Sequence, residues 1–199
     1  MPRASAASAA QTAQNVLGAA TELFASFGFN EVSVDDVAEA SGVTRGAVYH
    51  HFRSKQGLFR EVAARLQSTV ASAVVESAEK VEGDASDQFR AGAHAFLDAI
   101  TTGAAVRILL VDAPSVIGWQ EWRRLDEANS VTHLRESLAE VGVPAELLGA
   151  ATAQLSGAMN EAALWVAQHA DPAGARRQAH TVLDRLIANV LQLGQSAEL

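Results

Sequence analysis

The sequence predicts an all-α protein, and three observations carry that prediction. Residues 33–52, SVDDVAEASGVTRGAVYHHF, read as two short helices joined by a tight Ser-Gly turn, the pattern of a helix-turn-helix. Long stretches on either side repeat apolar residues at the helical period. One run, VRILLVDAP at 106–114, has the unbroken apolar character of a strand, but no second run exists to pair with it. A fully buried helix ended by Pro114 is therefore preferred there, because the residue before a proline avoids helical geometry.

Taken in order, residues 1–11 (MPRASAASAAQ) form a flexible arm of small residues without the apolar core of a secretory signal. Helix 1 runs from Thr12 to Phe27, with Val16, Ala20, Leu23, Phe24 and Phe27 on one face. Ser33 caps the next helix and Asp36 completes a capping box. Asp35, Asp36 and Glu39 sit where the helix dipole favours negative charge. Gly42 terminates that helix, and Thr44 caps a third, Arg45 to His51. A fourth begins after Ser54 and runs to Val81 on a stripe of Leu58, Val62, Leu66, Val70 and Val74. Gly83-Asp84 breaks it before a helix over 86–100. Residues 118–142, GWQEWRRLDEANSVTHLRESLAEVG, read as one long amphipathic helix. Pro144 opens the next, and Asp171-Pro172 supplies a cap and a first-position proline for the last.

On the third helix, Val48 and Phe52 share a face, while Arg45, Gly46, Tyr49, His50 and Arg53 share the other. The second face has no hydrophobic reason to be buried. Its guanidinium, phenol and imidazole, with a glycine permitting close approach, are groups that read base edges and grip phosphates. The net charge of −8 lies entirely in residues 61–199, whereas residues 40–60 contain Arg45, Arg53, Lys55 and Arg60 and no carboxylate. The basic footprint is small but sits on the reading helix.

GVTRGAVYHHFRSKQGLF, with the upstream NVLGAATELFASFGFNEVSVDDVAEAS, resembles the N-terminal domain of TetR-type transcriptional regulators. The matched positions are Phe24, Gly28 and Phe29, then Val34, Ala38, Gly42, Val43, Thr44, Gly46, Tyr49, Phe52, Ser54, Lys55 and Leu58. The resemblance is tight over residues 10–60. Many members carry several Lys or Arg before helix 1, and this chain has only Arg3. The resemblance implies a helix-turn-helix DNA-binding domain over 12–58 and a helical ligand-binding and dimerisation domain over 59–199. The partners it implies are double-stranded DNA with a palindromic operator, a small-molecule effector, and a second copy of the chain. Base reading is expected from Arg45, Gly46, Ala47 and His50. Phosphate contact is expected from Thr44, Tyr49, His51 and Lys55, and Ser33 is counted with the DNA-contacting positions. The aromatic residues Phe96, Trp119, Trp122 and Trp165, with Asn160 interrupting an apolar helix, are expected to line an effector pocket. His94 and His133 are weaker candidates, with a solvent-exposed imidazole the alternative. Leu155, Met159 and Ala162, facing Val182, Leu183, Leu186, Ile187 and Val190, are expected at a dimer interface, where the family forms a four-helix bundle.

Several function classes find no support. No G-x-S-x-G elbow, phosphate loop, H-E-x-x-H or dinucleotide fingerprint is present, so no catalytic residue, cofactor or metal is expected. The absence of cysteine excludes disulfides and suits the cytoplasm. No apolar run approaches the ~20 residues of a membrane span. The expectation is a ligand-released repressor. An activator or co-repressor-dependent regulator is one alternative; a helical small-molecule carrier or scaffold with a degenerate helix-turn-helix is another.

Overall fold

A computed structural model describes residues 2–195, and every ordered element in that range is helical. The all-α expectation holds. The elements are α1 (Pro2–Phe27), α2 (Val34–Ser41), α3 (Arg45–Phe52), α4 (Lys55–Glu79), α5 (Ala85–Ile100), a π-helical stretch Val106–Asp112, α6 (Ala113–Val116), α7 (Trp119–Asp126), a second π-helical stretch Glu127–Val131, α8 (Thr132–Glu140), α9 (Ala145–Gln168) and α10 (Pro172–Gln195). They form two compact units. The first holds α1 to Leu66 together with Gly103–Trp122; the second holds Gln67–Thr102 and the chain from Arg123 through α10. The dividing line thus falls inside α4, and a later segment joins the N-terminal unit.

Helix α1 begins at Pro2, ten residues before the expected Thr12. The arm over 1–11 was read from its small residues, yet alanine, serine and glutamine carry little helical penalty and no glycine interrupts them. Proline is tolerated in a first turn because its missing N–H has no partner there. In the first unit, Phe24 of α1, Phe29 of the following loop and Phe59 of α4 meet at centroid distances of 5.1–5.9 Å. Phe24 and Phe59 are fully buried, and Val16, Ala20, Val37, Val48 and Leu58 extend the same core. Phe27, expected on the core face, is 58% exposed.

The segment 103–122 closes the C-terminal end of α1. Arg107 donates from Nη1 to Ser26 O (3.3 Å) and from Nη2 to Phe27 O (3.1 Å), while Phe29 N donates to Asp112 Oδ2 at 3.0 Å. The two arginine bonds use terminal carbonyls that a helix leaves without internal partners. Arg107 thus caps the C-terminal end of α1. The apolar run is helical and buried at Ile108, Leu109 and Leu110, but in the wider π register. Ala113 N bonds Ile108 O five residues back. Pro114 cannot make the next such bond to Leu109 O, and the Trp122 indole Nε1 donates to that carbonyl instead, at 2.9 Å. Pro114 therefore does not stop the helix as expected; it sits inside α6. The long helix expected over 118–142 runs without a break from Trp119 to Glu140, with a π turn at Glu127–Val131 joining α7 to α8.

The second unit packs α5, α8, α9 and α10 around Phe89, Phe96, Leu97, Ile100, Leu138, Leu155, Met159, Ala163, Leu183 and Ile187. Polar links tie α5 to α10: His94 Nε2 lies 2.9 Å from Asp184 and His180 Nε2 lies 3.0 Å from Asp98.

Gly28 takes φ +85°, and a Cβ there would strike the Arg107 guanidinium. Gly28→Ala is expected to destabilise the protein by roughly 1–2 kcal/mol from the left-handed backbone alone. A fall in urea midpoint relative to the parent checks this.

Candidate nucleic-acid interface and internal cavity

The local chemistry read from 33–52 is realised. Ser33 Oγ accepts from Asp36 N at 3.1 Å, and Asp36 Oδ2 accepts from Ser33 N at 2.7 Å, a complete capping box. The backbone bond from Ser33, then its hydroxyl, hold the Asp36 carboxyl below its ordinary value. Gly42 closes α2 at φ +67°, and Thr44 Oγ1 accepts from Ala47 N at 3.2 Å to open α3. Val48 is 1% exposed and Phe52 8%. Arg45, Gly46, Tyr49 and His50 face solvent, Ala47 and His51 are half-buried, and Arg53 ends the helix at φ +67°.

Tertiary structure changes the charge on this face. Arg45 Nη1 is 2.8 Å from Asp35 Oδ2 on α2, and its guanidinium lies 5.4 Å from the centre of the Tyr49 ring. The absence of a carboxylate within 40–60 did not disclose this neighbour. Asp35 neutralises part of the basic footprint while fixing the direction of the guanidinium. Lys55 Nζ donates to Asn30 O at 3.3 Å and sits 4.4 Å from the Phe29 ring centre, so it is anchored beside the reading head. Ser33 is exposed, but its hydroxyl is committed to the cap.

Gly46 is informative because the chain itself does not require it. A Cβ there would come no closer than 3.8 Å to anything, at Thr44 Oγ1. Helical glycine costs stability relative to alanine through backbone entropy. A bare backbone at this exposed position leaves room for an external surface. Gly46→Ala is expected to raise stability by about 0.5–1 kcal/mol and to weaken DNA binding, as measured by urea denaturation and mobility shift on one preparation.

The pocket expectations are largely redistributed. The second unit holds a partly open cavity of about 60 Å³, walled by Val74 and Ala78 of α4, Phe89 and Phe96 of α5, Leu134 of α8 and Met159 of α9, with Asp126 and His133 among its polar lining groups. Phe96 is placed as expected. Trp119 is 61% exposed and stacks on Trp122 at 5.0 Å, while Trp122 is buried against the π-helical carbonyl in the first unit. Neither lines the cavity. Trp165 is 42% exposed on the outer side of α9. Asn160 is buried behind the wall, where its Nδ2 donates to Asp126 Oδ2 at 3.1 Å and its Oδ1 has no hydrogen-bond partner among the described residues. The apolar periodicity that flagged the tryptophans marks a helix face without saying what the face meets. Asp126 was missed because a carboxylate at the end of an acidic, arginine-rich helix reads as solvated, yet it is 1% exposed.

Of the residues expected at a dimer interface, Leu155, Met159, Leu183 and Ile187 are 6% exposed or less and fill the protomer's own core. The α9–α10 packing that makes the unit claims them first. Val182 (57%) and Leu186 (39%) are exposed, with Ala162 and Val190 half-buried. Leu147, Trp165 and Leu193 extend this exposed apolar face and were not foreseen.

Burial raises the Asp126 carboxyl above its ordinary value of 3.8, against the opposing hydrogen bond from Asn160 and the charge of Arg123. The folded state therefore holds this proton more tightly than the unfolded chain. Its contribution falls as pH rises from the unfolded value through the raised folded one. Asp126→Asn is expected to flatten the decline in urea midpoint across that interval, followed by denaturation at a series of pH values.

Residues 16–62 match the family model described as bacterial regulatory proteins, tetR family, and residues 86–190 match that described as tetracyclin repressor-like, C-terminal domain. The transcriptional regulator AcrR of Shigella flexneri is 37% identical over 84 residues, 42% of this chain and 39% of that protein. A probable acrEF/envCD operon repressor of Escherichia coli K12 is 39% identical over 62 residues, 31% of this chain and 28% of that protein. The chain thus aligns with well under half the length of these relatives. The crystal structure of a TetR-family regulator from Pectobacterium atrosepticum superposes with a TM-score of 0.75 at 29% identity, over 92% of this chain and 96% of that one. With both family models matched in their proper order over the helix-turn-helix and the C-terminal helices, this chain belongs to the TetR family of transcriptional regulators.

Proposed function

We propose that this protein is a homodimeric transcriptional repressor that binds a palindromic operator and leaves it when a small molecule occupies the cavity of the second unit. The observation that carries DNA binding is the polarity of α3: Val48 and Phe52 are inside, and Arg45, Gly46, Tyr49 and His50 are outside on a helix capped at Thr44. That is the arrangement a groove-reading helix needs. Arg45 reads a guanine edge, Ala47 and His50 flank it, and Tyr49, His51, Lys55 and the N-terminus of α3 hold phosphates. The E. coli relative named as an operon repressor supports the direction of regulation.

Dimerisation rests on the apolar face of α9 and α10, where Leu147, Trp165, Val182, Leu186 and Leu193 remain exposed among the described residues. Two reading heads on one palindrome multiply the affinity of each. Helix α4 supplies Leu58 and Phe59 to the core beneath the reading head and Val74 and Ala78 to the cavity wall. A ligand that favours a different setting of α4 would change the separation of the two reading helices, which a palindrome fixes at about 34–36 Å. Such a ligand acts only through tighter binding to the DNA-free geometry. No helix among the described residues is long and apolar enough to cross a membrane, and the protein is proposed to act on DNA in the cytoplasm.

A mobility shift against the DNA upstream of its own gene tests the reading, and failure to retard that fragment or any other genomic fragment rejects it. Arg45→Ala is expected to weaken the preferred site by about 5- to 150-fold and to relax selection at one base position; equal loss on all sequences would contradict its base-reading role. Val182→Glu with Leu186→Glu is expected to yield a folded monomer in sedimentation, with operator binding lost and the helical circular dichroism retained.

A further inference from the structure

Within the second unit, one polar arrangement has no structural need of its own. Asp126 is 1% exposed and contributes to the wall of the cavity. Among the described residues, its carboxylate accepts one hydrogen bond, from Asn160 Nδ2 to Oδ2. Behind it, Asn160 Oδ1 is buried without a partner. A buried carboxylate is costly unless its charge is compensated. The rest of the wall is mostly apolar, with Phe89, Phe96, Leu134 and Met159, and its other polar side chains are Gln88, His133, Ser137 and Ser156. Among the described residues no arginine or lysine lines the cavity, and His133 has its Nδ1 3.5 Å from Glu136.

Resting on the reading of this cavity as the effector site, we infer that it takes a small apolar molecule bearing a protonated amine, whose ammonium group pairs with Asp126. The volume of about 60 Å³ is several times the roughly 10–15 Å³ that one water needs by the same measure, which suits a single ring or a short alkyl chain. An anionic ligand would meet an acceptor and no cation. A neutral alcohol would complete a hydrogen bond but would not compensate the carboxylate charge. An ammonium does both: it donates to the Asp126 carboxylate and neutralises its charge at a residue only 1% exposed. Burial raises the proton affinity of the empty site, with Arg123 opposing. An arriving ammonium favours the ionised carboxylate and so supplies what the apolar wall withholds.

Calorimetry on the full-length protein with three matched series decides this: benzylamine, phenethylamine and n-hexylamine, the corresponding alcohols, and the corresponding carboxylates. The amines are expected to bind and the carboxylates not, with the amine preference over the alcohols about 10- to 100-fold and abolished in Asp126→Asn. Carboxylates or alcohols binding as well as amines, or no amine binding at millimolar concentration, overturns the inference on the wild-type protein alone, whatever the variant's folding. A parallel mobility shift on the upstream DNA without amine separates the two claims. Loss of DNA binding there rejects the regulator reading, whereas intact DNA binding with no amine preference rejects only the ligand class.

Discussion

An eight-residue helix does not sustain itself in water, because nucleation costs more than so few bonds return. The reading helix α3 depends on the burial of Val48 and Phe52 and on caps at both ends. Beneath it, the contacts among Phe24, Phe29 and Phe59 lock α1, its following loop and α4 together. Every proposed DNA contact inherits its position from that aromatic core. The bonds from Arg107 to the end of α1 and from Asp112 to Phe29 extend the same lock through the segment 103–122.

The electrostatics of the reading head are economical. The chain carries −8 overall, and the single guanidinium best placed to read a base is paired with a carboxylate. That pair is exposed and weakens attraction to DNA in general. It also restricts a flexible side chain to one direction beside Tyr49, so less order has to be imposed on contact.

Polar groups inside the second unit follow a different logic. The His94–Asp184 and His180–Asp98 pairs, with rings 4.2 Å apart, satisfy one another and join α5 to α10. Asp126 and Asn160 satisfy each other only in part, and Gln67, 1% exposed on α4, has neither amide atom bonded among the described residues. The outer apolar face of α9 and α10 is settled within its own helices and incomplete only in lacking a cover.

The sequence by itself determined the helix-turn-helix down to its caps, the polarity of α3, the all-α class, the boundaries of α5 and the starts of α9 and α10. Those features arise from interactions within about four residues, and caps, glycines and the 3.6-residue period record them directly. Tertiary structure alone decided what spans longer distances. Asp35 reaches Arg45 across 10 residues, Asn160 reaches Asp126 across 34, and Arg107 reaches Phe27 across 80. It also decided which apolar face met which neighbour, sending Trp122 to a π-helical carbonyl and leaving Trp119 and Trp165 in solvent. The π register was invisible for a related reason: widening a helix by one residue per turn leaves the same apolar run in place, and only the missing N–H of Pro114 and the indole that replaces it show where the ladder breaks.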